Sequence, residues 1–153
     1  MFIEEVRKAL NECKIRYALV GGYAVALHGA VRGTMDIDIV LNWEVAVLRK
    51  AATALESIGL ESRLPVTAED VFQFRDEYVR NRNLVAWNFF DQQDVSRQVD
   101  IIIVYDLKGK QRVKIDTAAG PLYVLAREEL IRMKRESGRP QDLADVDALE
   151  RLP

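Results

Sequence analysis

Three aspartates carry the first chemical signal in this chain. Asp36 and Asp38 stand two apart in Met35-Asp36-Ile37-Asp38-Ile39, and acidic residues alternating with branched apolar ones follow the period of a β-strand. On a strand, residues two apart share a face. Two carboxylates that close resist joint ionisation. A divalent cation relieves the repulsion, and hard oxygen ligands are what Mg²⁺ prefers. A third carboxylate, Asp100, lies in Gln98-Val99-Asp100-Ile101-Ile102-Ile103-Val104. A charge in so apolar a strand is costly unless it is paired or bound to metal. An ion pair with Arg97 or another base, and ligation of a metal, both remain open for it. If the two strands are neighbours, the three carboxylates converge. Such a set suits two Mg²⁺ ions and an in-line displacement at phosphorus.

Upstream, Leu19-Val20-Gly21-Gly22 closes an apolar run on a tight turn. A Gly-Gly turn that opens a helix lets backbone N–H groups come close to a phosphate. Each piece has a plain alternative: Gly-Gly is commonly only a turn, and an Asp-x-Asp at a strand end is commonly solvated. The three pieces in this order are more specific than any one of them.

The elements that must hold these residues follow from periodicity. Residues 2–13 place Phe2, Ile3, Val6, Ala9, Leu10 and Cys13 at helical spacing. Residues 17–20 read as a strand, 23–28 as a short helix, 29–34 as a loop and 35–41 as the Asp36/Asp38 strand. Residues 43–58 are helical in pattern and stop at Gly59. Thr67 starts a further helical stretch through Tyr78. Residues 84–90 and 98–105 are β-rich, joined by a polar link, and read as antiparallel neighbours. Residues 113–115 and 122–124 are weaker strands. Two helices close the sequence, 127–135 and 141–149, with Gly138 and Pro140 between them in the expected order. Strands mixed with helices throughout, some joined by short links, predict an α/β fold with a mixed β-sheet flanked by helices. No stretch reads as a linker, so residues 1–153 are read as a single domain.

Composition narrows the classes. Hydrophobic residues make up 49%, enough for a core, and 22 basic against 24 acidic side chains give a net charge of −2. That balance carries no global footprint of nucleic-acid or membrane binding. The one cysteine, Cys13, excludes an intramolecular disulfide, and the one histidine, His28, leaves no Cys/His zinc set. No signal peptide or membrane span is legible, so the expectation is a cytoplasmic protein.

Val20-Gly21-Gly22, Asp36-Ile37-Asp38 and Val99-Asp100-Ile101 together resemble the signature of the DNA polymerase beta-like nucleotidyltransferase superfamily. Residues 21–29 and 32–38 are similar to small bacterial stand-alone members related to type IV toxin–antitoxin (abortive infection) nucleotidyltransferases and to small aminoglycoside nucleotidyltransferases. The tail, Leu130-Ile131-Arg132-Met133-Lys134 and Gly138-Arg139-Pro140-Gln141-Asp142-Leu143, resembles the same group. The likeness runs over most of residues 17–149 and is weakest over 60–95. It implies the nucleotidyltransferase fold and an enzyme that moves NMP from a nucleoside triphosphate, such as ATP, to a hydroxyl on a protein, an RNA 3′ end or a small molecule. It implies Asp36, Asp38 and Asp100 as catalytic and metal-binding residues for two Mg²⁺ ions, one arriving with the triphosphate. Asp100 would also help deprotonate the acceptor hydroxyl. Gly21 and Gly22 would seat the triphosphate, Lys134 would reach its phosphates, and Arg32 and Thr34 complete the nucleotide-binding set.

Several of these residues carry a second reading. Arg32 could contact phosphate, steady an aspartate or be a solvent-exposed loop arginine. Lys134 lies near a helix C-terminus, where the helix dipole alone accounts for a cation. His28 is expected to be a hydrogen-bonded helix-end histidine, Trp43, Trp87 and Tyr105 core residues, and Asp106 a turn residue. The arginine-rich stretch 75–82 is either a groove wall or a solvated helix face. The competing functional reading is a non-catalytic or partner-dependent module of a toxin–antitoxin pair, working with a small helical protein partner. A deep cleft floored by the three aspartates would favour the enzyme, and an unpaired strand edge the partner.

Overall fold

A computed structural model describes residues 1–30 and 36–153. The first helix, α1 (Phe2–Glu12), leads into β1 (Tyr17–Val20), α2 (Gly21–Leu27) and β2 (Ile37–Leu41). Then come α3 (Val45–Ser57), the two-residue β3 (Glu61–Ser62), α4 (Ala68–Gln73) and α5 (Arg75–Arg82). The hairpin-like pair β4 (Ala86–Phe90) and β5 (Gln98–Ile102) precedes a second pair, β6 (Arg112–Thr117) and β7 (Gly120–Leu125), and α6 (Arg127–Ser137) and α7 (Pro140–Glu150) end the chain.

The seven strands form one mixed sheet in the order β3-β4-β5-β2-β1-β7-β6. β1 runs antiparallel to β2 and parallel to β7, while β2 runs parallel to β5. All four residues of β1 are buried, as expected of a strand covered on both faces. In β4 and β5 burial alternates instead: Trp87, Phe89, Val99 and Ile101 enter the core, and Asn88, Gln98 and Asp100 face the other way. That alternation is what turns Asp100 out of an apolar strand.

Local chemistry sets the helix ends. Thr67 caps α4 in a reciprocal arrangement with Asp70, the Thr67 side chain accepting from the Asp70 amide and the Asp70 carboxylate accepting from the Thr67 amide. Gly138 closes α6 at φ +66°, a left-handed position that glycine adopts without steric cost, and Pro140 starts α7 where no amide donor is needed.

Several expectations need correction at their edges. The strand read over 35–41 begins at Ile37, so Asp36 precedes it; residues 31–35 lie outside the described residues. The helix read through Tyr78 breaks at Phe74 into α4 and α5. The helix read over 23–28 starts earlier, at Gly21. The strand read to Tyr105 ends at Ile102, where Ile103 donates one further bond to the Val85 carbonyl and Leu107 turns back to the Leu41 carbonyl.

Candidate active site

β2 and β5 lie side by side in parallel register, with Asp38 directly opposite Asp100 and Ile37 and Ile39 opposite Val99 and Ile101. The isoleucines and Val99 are buried, so the flanking apolar residues anchor both strands and present the two carboxylates on one face. Strands spaced about 4.8 Å apart bring such side chains within reach of each other. Asp36 is exposed at the rim. All three aspartates line a cleft of about 460 Å³ that Gly21, Gly22, Lys134 and Arg139 also border. Asp36 and Asp100 face, in addition, a second cleft of about 300 Å³ with Phe2, Ser96 and Gln98. Asp36 and Asp100 thus stand between two clefts, and Asp38 faces the first.

The turn after β1 is built against Asp38. Gly21 has φ +70°, and a Cβ there would lie 2.1 Å from Asp38 Oδ2. Glycine is required twice at this position, once for the left-handed backbone and once for the space. Asp38 pays for the crowding in its protonation. Burial first, and then the negative charges of Asp100 and Asp36, push its carboxyl up to about 7, with Lys134 opposing them. A carboxylate held that far above its ordinary range is one that gains from a neighbouring cation.

The donor set tests the fit of Mg²⁺. Carboxylate oxygens are its preferred ligands, and Asp38, buried beside Asp100, resists ionising without a cation near it. Among the described residues no three His, Cys, Asp or Glu side chains already form a closed cluster able to hold a metal. What stands ready is a pair abreast on the sheet and a third carboxylate on the rim.

No family model matches the chain, and no curated protein matches it in sequence. Solved structures do match. The lincosamide antibiotic adenylyltransferase LnuA, bound to lincomycin, superposes with a TM-score of 0.63 at 14% identity, over 99% of this chain and 96% of that one. An antigenic nucleotidyltransferase-like protein from Paracoccidioides brasiliensis gives 0.59 at 16% identity, over 96% of this chain and 72% of the other. ANT(2")-Ia in complex with adenylyl-2"-tobramycin gives 0.58 at 12%, over 96% and 84%. The chain has the nucleotidyltransferase fold.

Within that nucleotidyltransferase fold Lys134 and Arg139 share one side of the cleft. Lys134 borders the cleft, but its ammonium is buried and committed: Nζ lies 2.8 Å from Asp145 Oδ2 and 3.7 Å from Asp142 Oδ1. Gln141 holds the other Asp145 oxygen at 3.0 Å. The more accessible cation on the same wall is Arg139, whose side chain is 74% exposed and donates from Nε to Asp142 Oδ2 at 2.7 Å. The sequence offered a signal for this cluster in Asp142 and Asp145, three apart and therefore on one face of α7.

Arg97 does not pair with Asp100. It binds Glu5 and Asp91 and stacks on Phe2. The Asp100 partner is Asn88, opposite it on β4, whose Nδ2 donates to Asp100 Oδ1 at 2.8 Å. His28 is the expected helix-end histidine, with Nε2 at 2.8 Å from the Leu125 carbonyl. Asp106 is a turn residue that accepts from the Trp43 and Lys108 amides. Trp87 is core, while Trp43 is half-buried beneath Arg75, and Arg75 donates to the Ile103 carbonyl. Arg75 is thereby structural. Arg32 and Thr34 lie outside the described residues.

Proposed function

We propose that this chain is a Mg²⁺-dependent nucleotidyltransferase that moves NMP from a nucleoside triphosphate to a hydroxyl acceptor, the acceptor oxygen bonding to the α-phosphorus as the bond to the departing pyrophosphate breaks. The observation that carries the reading is the register of Asp38 against Asp100, with the Gly21 turn pressed onto Asp38 and a cation-bordered cleft in front of both. The fold neighbours lend support, because two of them are named as an adenylyltransferase and as a protein bound to an adenylylated antibiotic.

Asp36, Asp38 and Asp100 would hold the ions, and bound Mg²⁺ would neutralise phosphate charge and polarise the reacting oxygens. Gly21 and Gly22 would seat the triphosphate through backbone amides, with Arg139 as the accessible cation. Lys134 would then act mainly on Asp38, as a fixed positive charge behind it. The second cleft, past Asp36 and Asp100, is the natural entry for the acceptor hydroxyl, whose proton Asp100 would accept. A protein side chain, an RNA 3′ end and a small molecule are the acceptor classes.

One observation favours the partner-dependent reading. β6 ends the sheet with an open edge, and Val113 on it is exposed. Its charged residues Arg112, Lys114 and Asp116 are nevertheless the kind that blunt an edge.

Titration calorimetry with ATP, GTP, CTP and UTP, with and without Mg²⁺, on wild type and Asp36→Ala tests the proposal. Mg²⁺-dependent binding that vanishes in the variant is expected and identifies the donor. No binding of any triphosphate would overturn the enzyme reading and leave the partner-dependent module.

A further inference from the structure

We propose that Asn88 is the positioning residue for Asp100, with its amide set in turn by Arg63. This rests on the reading of Asp100 as a working carboxylate. Asn88 faces Asp100 across the β4–β5 ladder and lies on the cleft side of the sheet, between the core residues Trp87 and Phe89. Its amide is fully used. One Nδ2 hydrogen goes to Asp100 Oδ1 at 2.8 Å and the other to Gln98 Oε1 at 3.2 Å, while its Oδ1 accepts from Arg63 Nε at 2.8 Å. Turning the amide over would set its oxygen against two acceptor oxygens and its NH₂ against an arginine N–H, so only one orientation satisfies all three partners. Arg63 is itself steadied by lying 4.1 Å over the Phe90 ring.

The consequence falls on the carboxylate. An aspartate on a strand face has rotational freedom about both side-chain bonds, and the cleft beside it is open. The Asn88 bond takes Oδ1 and leaves Oδ2 for a ligand or for the proton of an acceptor hydroxyl. Groups that hold a ligating carboxylate in this way change metal affinity without touching the metal. A merely structural Asn88 would alter stability and leave affinity alone.

The test combines two readouts on wild type, Asn88→Leu (similar in shape, without donors), Asn88→Ala and the surface variant Arg63→Ala. Mn²⁺ binding is followed by electron paramagnetic resonance in the presence of the α,β-methylene analogue of ATP, and crystal structures of the free proteins give the Asp100 rotamer. The expected result is a loss of Mn²⁺ affinity of roughly 10- to 100-fold in both Asn88 variants, with Asp100 rotated or in several conformers, and a smaller loss in Arg63→Ala. Wild-type affinity in a folded Asn88 variant would overturn the proposal. If wild type binds no Mn²⁺ with the analogue, the proposed function fails instead. The rotamer then decides for Asn88, and an Asp100 carboxylate unmoved in Asn88→Leu or Asn88→Ala overturns it.

Discussion

Replacing Asp38 with asparagine should stabilise the metal-free protein, and only where Asp38 would otherwise be charged. The Asp38 carboxyl is held up at about 7 against an ordinary value of 3.8, first by burial and then by Asp100 and Asp36. For an acid raised in the folded state, folding favours the protonated form. Its stability penalty is absent below about pH 4, grows as pH climbs from 4 towards 7, and is complete above the folded value. At 1.36 kcal/mol per pH unit the full penalty is on the order of 4 kcal/mol at pH 8, against less than about 1 kcal/mol at pH 4. Asparagine keeps the shape beside Gly21 and carries no charge at either pH. Asp38→Asn in EDTA should therefore unfold roughly 10 °C above wild type at pH 8 and within about 2 °C of it at pH 4. Differential scanning calorimetry at the two pH values checks this, since titrating groups remote from Asp38 cancel in the comparison. Millimolar Mg²⁺ at pH 8 should raise wild type and leave the variant where it was. A variant no more stable than wild type at pH 8, or equally stabilised at both pH values, would refute the reasoning.

Three further outcomes follow from the same contacts. Lys134→Ala removes the buried ammonium from Asp145, while Asp142 keeps Arg139, and should cost about 3 kcal/mol in urea unfolding; a variant as stable as wild type but weak for ATP would return Lys134 to the phosphates. Arg139→Ala, which removes a largely exposed side chain, should weaken Mg²⁺·ATP binding by about tenfold in calorimetry with a far smaller stability loss than Lys134→Ala, and unchanged affinity would remove Arg139 from the site. Gly21→Ala drives a Cβ into the Asp38 carboxylate. It should abolish Mg²⁺-dependent nucleotide binding while circular dichroism still reports a folded protein destabilised by about 1–3 kcal/mol, and retained binding would mean the turn is not built around Asp38.

The sequence made some of this arrangement legible and hid the rest for physical reasons. β1, β2 and β5 stood out because buried central strands need apolar runs, and the aspartates broke those runs at the site face. Period-two logic failed at Asp36 only in its boundary: the alternation continues in sequence, while the ladder begins at Ile37. β3 left no trace, since Glu61 and Ser62 pair with Phe90 and Phe89 at an edge that buries little. Asn88 could not be found without the β4–β5 register, because nothing in Ala86-Trp87-Asn88 says which residue of β5 it will face. Of the Lys134 cluster only the Asp142–Asp145 spacing was legible. Its counter-charges lie on the next helix, and a lysine in Arg132-Met133-Lys134-Arg135 looks solvated until α7 closes over it.

That cluster also bears on how a nucleotide could enter. Among the described residues four carboxylates border the cleft, Asp36, Asp38, Asp100 and Asp142, against two cations, Lys134 and Arg139. One of those cations is already spent on buried Asp145. A triphosphate brings about four negative charges of its own, so bare NTP meets net repulsion at close range, where Coulomb terms between neighbouring charges reach several kcal/mol. Among the described cations, Arg139 alone cannot reverse that sign. Divalent cations can, and they would also settle the Asp38 carboxyl, which burial and its neighbours' charges hold up at about 7. Nucleotide and metal should therefore bind with strong positive coupling, each raising the affinity of the other by the same factor. The coupling should fall in Asp38→Asn, which removes one negative charge with two effects: less repulsion of bare ATP, and a weaker hold on Mg²⁺. In calorimetry, Asp38→Asn would bind ATP in EDTA at least as well as wild type does and would gain little from Mg²⁺. A variant whose Mg²⁺-dependence equals that of wild type would show that the carboxylate pair does not set the cation requirement.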